Sequence, residues 1–322
     1  MRAVLVCALS AVIAAACSAP PQTGSSGTGG QSNGSGGQSP ATGGAGGASD
    51  PTDAASTGGT PGSGGAVDAP AAMPEVAARD SATATDTGGG TTDAGGKPAP
   101  VPSAGCGAAG QLPEGAGTLP SGRRYVVHLP TGYQAGKPFP LVFALHPNGG
   151  NIGMFDDGTT RAAMRDWAIL ILTQSETGDW RTAFPADLAY FDTLVALVKD
   201  KLCVDTGRIY SFGFSGGASF SNLLACQRRF LRAVAGGGGI PGYNGYTAAD
   251  CQPMPTWIDE GMRDGLLELW TAKDGCMQSM PGVRANCRQY VCSIAPVVYC
   301  TNGAHVWPSY GSGDVAAFFK QF

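Results

Sequence analysis

The stretch Arg208-Ile209-Tyr210-Ser211-Phe212-Gly213-Phe214-Ser215-Gly216-Gly217 decides the reading of this chain. Its first five residues make a short, largely apolar run rich in β-formers and predict a strand. The residues that follow, Ala218 to Arg229, predict a helix with Phe220, Leu223 and Leu224 on one face. Between them lies G-x-S-x-G. In a chain with 51 glycines that pattern alone says little. Between a strand and a helix it describes a tight turn in which glycines let the backbone fold sharply and raise a serine hydroxyl above a sheet edge.

Outward from this turn, strands and helices alternate. Arg124–Pro130, Pro140–His146, Ala168–Thr173, Arg232–Ala235, Pro255–Ile258 and Pro296–Tyr299 read as strands. Met154–Trp167, Asp187–Lys201, Leu266–Lys273 and Asp314–Phe322 read as helices. The second and third strands are apolar without alternation, the mark of a strand buried on both faces. The pattern predicts an α/β fold with a mostly parallel sheet and helices on both faces.

The aromatic residues begin at Tyr125, and the preceding region cannot build a core. Residues 1–17 have the form of a secretion leader, with Arg2 ahead of a short apolar run. The run ends Ala14-Ala15-Ala16-Cys17, similar to the bacterial site at which a cysteine is lipidated. Residues 18–104, rich in Gly, Ser, Thr, Ala and Pro, read as a low-complexity tether, about 50 Å end to end as a coil of this length. Residues 105–322 are left as one catalytic-sized domain.

The net charge of −4 and the lack of a basic block argue against nucleic acid as a partner. Eight cysteines lie at or after Cys106, an even number suited to an oxidising compartment. Short intervening loops favour Cys226 with Cys251 and Cys276 with Cys292. No C-x-x-C pair occurs among them and histidine is scarce, which argues against a zinc site; no metal and no cofactor is expected. Cys17 remains over, which favours a lipid anchor there as the sole membrane contact.

A serine nucleophile needs a base. Of three histidines only His305 follows Ser215, in a loop after the last strand. His128 reads as structural, and His146 as a residue that orients the glycine-rich loop after the second strand. The acid should lie in the loop after Pro255–Ile258. Asp264 is the choice, Asp259 or Glu260 the reserve, and Asp274 reads as a solvated or capping residue at a helix end. One oxyanion donor should be the N–H of Gly216. The other should come from His146-Pro147-Asn148-Gly149, and since Pro147 has no N–H it falls to Asn148 or Gly149. Trp180, Trp307 and His146 are the candidates for touching substrate, with the two indole rings as walls for an aromatic acyl group.

Several motifs in order resemble the secreted feruloyl esterases and the related polyhydroxybutyrate-depolymerase-like esterases, of the α/β-hydrolase fold. They are Leu202-Cys203-Val204-Asp205-Thr206 with Arg208-Ile209-Tyr210, Gly213-Phe214-Ser215 and Leu231–Ala235. Pro255 to Asp264 is similar to a strand ending H-G-x-x-D, with Glu260 in place of the histidine. Asp274-Gly275-Cys276 is similar to N-G-C, Gly303–Pro308 to G-H-x-W-P, and Gly178-Asp179-Trp180 to a G-W pair. Pro147 and Ala304 depart from the pattern, and Cys287 and Cys300 are additional. The resemblance implies Ser215, Asp264 and His305 as a triad. With the leader and Cys17, the expectation is a secreted or outer-membrane-anchored, monomeric esterase acting on feruloyl or acetyl groups of plant polysaccharide such as xylan. The alternatives are a polyester depolymerase and a catalytically weak carbohydrate-binding surface lipoprotein.

Overall fold

The computed structural model describes residues 98–260 and 265–322. The leader, Cys17, nearly all of the tether and Asp264 lie outside the described residues. The described part joins the domain slightly ahead of 105. Ser103 donates its N–H to Val204 and its hydroxyl to Leu202, and the Val101 N–H donates to the Asp205 carboxylate.

One ten-stranded sheet runs in the order β1-β2-β4-β3-β5-β6-β7-β10-β9-β8. The outer strands on one side are β1 (Gly115–Thr118) and β2 (Arg124–His128). The centre is β3 (Phe139–Leu145), β4 (Ile169–Thr173), β5 (Val204–Phe214), β6 (Ala233–Gly237) and β7 (Thr256–Glu260). The far side is β8 (Cys276–Pro281), β9 (Cys287–Cys292) and β10 (Val297–Thr301). Pairing is parallel from β4 through β3, β5, β6 and β7 to β10, and antiparallel outside that block. All residues of β3, β4, β6 and β7 are buried, as strands covered on both faces must be.

The helices divide between the two faces. α2 (Phe184–Lys201), α3 (Gly216–Gln227) and α4 (Leu266–Lys273) pack Phe191, Phe220 and Trp270 into one core layer. α1 (Gly158–Met164) and α5 (Gly311–Phe319) pack Met164, Phe318 and Phe319 into the other. The region expected to be one helix from Met154 is instead a 3-10 turn, Ile152–Phe155, followed by α1. Asp157 breaks the run by capping α1, its carboxylate accepting the N–H groups of Thr159 and Thr160. With β3 and β4 crossed in the order and the serine turn after β5, the architecture is that of the α/β-hydrolases.

Four disulfides staple the domain: Cys106–Cys203, Cys226–Cys251, Cys276–Cys292 and Cys287–Cys300. Both expected short-range pairings are present. Two of the four bridges hold β8 and β9, which sequence reading missed. Cys276-Met277-Gln278-Ser279-Met280-Pro281 has no β-branched residue and is mostly exposed, so its strand character comes from pairing and cross-links.

Candidate active site

Ser215 sits between β5 and α3 with φ 53° and ψ −120°. A non-glycine residue at positive φ carries strain, and here it turns the hydroxyl out at the carboxyl end of the parallel strands. The turn is possible because its neighbours lack side chains. A Cβ on Gly216 would lie 1.9 Å from the Asn148 Oδ1, and one on Gly217 would lie 2.2 Å from the Leu145 carbonyl oxygen. The glycines therefore admit the neighbouring β3 loop as well as the turn itself.

His305 meets this serine. Its Nε2 is 2.9 Å from Ser215 Oγ, across 90 residues of sequence. The ring lies against Phe214, with centroids 5.0 Å apart. It also lies against Gly238, where a Cβ would approach the ring to 2.6 Å. The loop carrying it, 302–306, is tied by the Asn302 side chain. Its Oδ1 accepts the Ala304 N–H at 2.8 Å, and its Nδ2 donates to the Val306 carbonyl at 3.0 Å.

The reserve acid Asp259 is buried in β7 and engaged elsewhere. Its Oδ1 accepts from Asn302 Nδ2 at 2.7 Å and its Oδ2 from the Tyr310 hydroxyl at 2.7 Å. Burial raises its pKa and the Tyr310 hydrogen bond opposes that rise. Among the described residues no hydrogen bond joins it to His305. The other reserve, Glu260, is buried at the end of β7. Asp274 is the C-cap residue of α4, one of the two expected readings, but it is not solvated. It is 0 % exposed, packed under the end of α4.

The loop after β3, expected to supply an oxyanion donor, is held from three directions. His146, 1 % exposed, uses one ring nitrogen toward the Pro147 carbonyl at 2.7 Å. Its other nitrogen accepts from the Ser175 N–H at 3.2 Å. Burial lowers its pKa, and an Nε2 that accepts the Ser175 N–H while Nδ1 faces the Pro147 carbonyl is the neutral Nδ1–H tautomer. Trp180 donates its indole N–H to the His146 carbonyl at 2.6 Å and its backbone N–H to Asn148 Oδ1 at 3.1 Å. Gly149 donates its N–H to the Gly178 carbonyl at 2.8 Å. That bond consumes the Gly149 donor, so Gly149 is withdrawn as an oxyanion ligand. The N–H groups of Asn148 and Gly216 have no hydrogen-bond partner among the described residues.

Two expected substrate contacts are corrected by burial. Trp180 is 0 % exposed, with its ring packed on Phe220 and Phe191, and it braces the oxyanion loop rather than walling a pocket. His146 is likewise inside. Trp307 is half-buried and plugs the second core layer, 5.2 Å from Phe155 and 5.7 Å from Phe212 between ring centroids. The G-D-W signal was visible in the sequence, but its task as a loop brace depends on contacts with residues some thirty positions away. Exposed apolar side chains near the serine turn are Val306, beside His305, and Ile240, whose N–H donates to Ser219 Oγ one helical turn beyond Ser215.

No protein-family model matches the chain. Feruloyl esterase C of Emericella nidulans is 35% identical over 153 residues, covering 44% of this chain and 56% of that enzyme. "Probable feruloyl esterase C" of Aspergillus flavus is 31% identical over 201 residues, covering 56% of this chain and 72% of the relative. Feruloyl esterase D of Neurospora crassa is 30% identical over 191 residues, covering 53% and 64%. Among solved structures, a ferulic acid esterase from Anaeromyces mucronatus in complex with ferulic acid aligns with a TM-score of 0.47 at 15% identity, over 66% of this chain and 92% of that one. On the extent and identity of the sequence match, the chain belongs to the feruloyl esterase family of carboxylic ester hydrolases.

Proposed function

We propose that this chain is a serine carboxylesterase that releases feruloyl or acetyl groups from plant polysaccharide such as xylan, with Ser215, His305 and Asp264 as its triad. The observation that carries the reading is the 2.9 Å contact of His305 Nε2 with Ser215 Oγ on a positive-φ turn. Ser215 Oγ attacks the ester carbonyl while His305 Nε2 takes its proton. The oxyanion that forms is met by the N–H groups of Gly216 and Asn148. His305 then protonates the leaving alcohol, an acyl-serine remains, and water repeats the sequence to free the acid. Asp264 would hold the imidazole tautomer. The names of the matched relatives support the feruloyl class. The four disulfides support an oxidising compartment, hence secretion, with a lipid anchor at Cys17 and a monomeric domain as the corresponding arrangement.

The deciding experiment compares wild type and Ser215→Ala on methyl ferulate, acetylated xylan and a hydroxybutyrate oligomer. The reading expects turnover of methyl ferulate or acetylated xylan by wild type and only a trace by the variant. Turnover confined to the hydroxybutyrate oligomer would replace it with the polyester reading. Turnover of none would leave the carbohydrate-binding reading. Mass spectrometry of material from the native host, with a diacylglyceryl group expected on Cys17, checks the anchor.

A further inference from the structure

Asp259 lies one strand away from the imidazole and reaches it from two sides. Through its backbone, its carbonyl accepts the Gly238 N–H at 2.8 Å, and Gly238 is the surface against which the His305 ring rests. Through its side chain, its carboxylate accepts one proton of the Asn302 amide at 2.7 Å. That amide straddles His305, bonded to the residue before it and the residue after it. Only one flip of the amide satisfies both neighbours, because the Ala304 N–H needs an acceptor and the Val306 carbonyl needs a donor. With Nδ2 toward Asp259 and Val306, Oδ1 is left for the Ala304 N–H. The Asp259 carboxylate accepts the second amide proton and so ties the loop, in that flip, to β7. Tyr310 occupies the second oxygen, and Asn286 links Tyr310 to the Thr301 carbonyl at the foot of the same loop. The exposed base is thus carried by a loop that a buried carboxyl group ties to β7.

Resting on the serine-esterase reading, we propose that Asp259 and Asn302 are positioning residues that hold His305 in register with Ser215, a task separate from that of the triad acid. In Asp259→Asn an amide N–H2 would face either the Asn302 amide or the Tyr310 hydroxyl, and one of the two hydrogen bonds that anchor the 302–310 segment to β7 is lost. A displacement of about 1 Å at a reacting group costs on the order of a hundredfold, so a 10- to 100-fold loss is expected.

The test uses a fluorophosphonate probe, which needs no ester substrate. Ser215 Oγ forms a bond to phosphorus, the P–F bond breaks, fluoride leaves and the serine proton passes to His305. Labelling rates are measured for wild type, Asp259→Asn, Asn302→Ala and Asp274→Asn, the last a buried carboxylate outside the network. Each of the first two variants should label 10- to 100-fold more slowly, and Asp274→Asn at the wild-type rate. Placed on His305→Ala, Asp259→Asn should cause no further loss, because no imidazole remains to be positioned. The swap Asp259→Asn with Asn302→Asp, which restores a donor facing an acceptor, should recover part of the rate. Equal rates in wild type, Asp259→Asn and Asn302→Ala would overturn the positioning role and leave the esterase reading intact. So would a loss on His305→Ala as large as on wild type. If Asp259→Asn does not fold, Asn302→Ala decides alone. Absence of labelling in wild type would overturn the esterase reading and the proposal with it.

Discussion

Asp274 is a charge in an unfavourable place. Neither carboxylate oxygen makes a hydrogen bond of good geometry among the described residues. Burial pushes its pKa up to about 7, and the Met254 backbone offsets only part of that rise. The sign follows from linkage. Below about pH 4 the carboxyl is protonated both folded and unfolded and causes no loss. As pH rises toward 7 the unfolded chain gives up the proton while the folded one keeps it, so stability falls, and above 7 the loss is complete. Asp274→Asn should therefore raise unfolding free energy by roughly 1–3 kcal/mol at pH 8 and leave it nearly unchanged at pH 4. Urea titrations at the two pH values check this, and an equal shift at both would contradict it. The same substitution should leave ester turnover nearly intact, whereas Asp264→Asn should reduce kcat by about 10⁴, as expected of a residue that fixes the imidazole tautomer. A larger loss at Asp274 would reverse that assignment.

At the scale of elements, the loop after β3 is built from contacts with two others. α3 offers Gly216, against which the Asn148 side chain packs, and the segment 178–180 supplies three hydrogen bonds to the loop. Gly216→Ala should push Asn148 away and cost about 10²–10³ in kcat, the loss typical of a missing oxyanion donor. Little change in thermal stability should accompany it, because the new Cβ meets only the tip of the half-buried Asn148 side chain. Trp180→Ala should behave in the opposite way. It removes a fully buried ring and should lower stability by about 3–5 kcal/mol. The ratio of kcat/KM for methyl ferulate over an acetyl ester should stay within about twofold when measured on the folded fraction, since the ring does not reach solvent. A collapse of that ratio would return Trp180 to the acyl pocket.

For the whole molecule, the four cross-links differ in span. Cys106–Cys203 joins the start of the domain to β5 across 97 residues, whereas Cys287–Cys300 closes 13. Loop-closure entropy grows with the logarithm of span, so the first should contribute about 1–2 kcal/mol more than the second. Paired Cys→Ser variants at each bridge, unfolded in urea, test the ordering. The larger loss is expected for Cys106 with Cys203, and the reverse order would show that enthalpic differences in the native state dominate. Among the described residues no helix is long and apolar enough to cross a membrane.

The parallel sheet, the strand-turn-helix at Ser215 and the identity of His305 as its partner are legible in the sequence. Buried strands need unbroken apolar runs, the turn needs glycines at fixed offsets, and only one histidine follows the serine. Local chemistry dictates all three. The role of every other site residue is decided in three dimensions. Nothing local distinguishes a tryptophan that faces a ligand from one that braces a loop, and Trp180 is assigned only by its bonds to His146 and Asn148. Gly149 and Asn148 are adjacent and equally able to donate an N–H, and the Gly178 carbonyl chooses between them. Asp259 sits in a strand as any buried residue would, until β10 and its loop bring Asn302 and Tyr310 onto its two oxygens. Sequence specifies which groups can form hydrogen bonds. Tertiary packing specifies which of them are already used, and so which remain for chemistry.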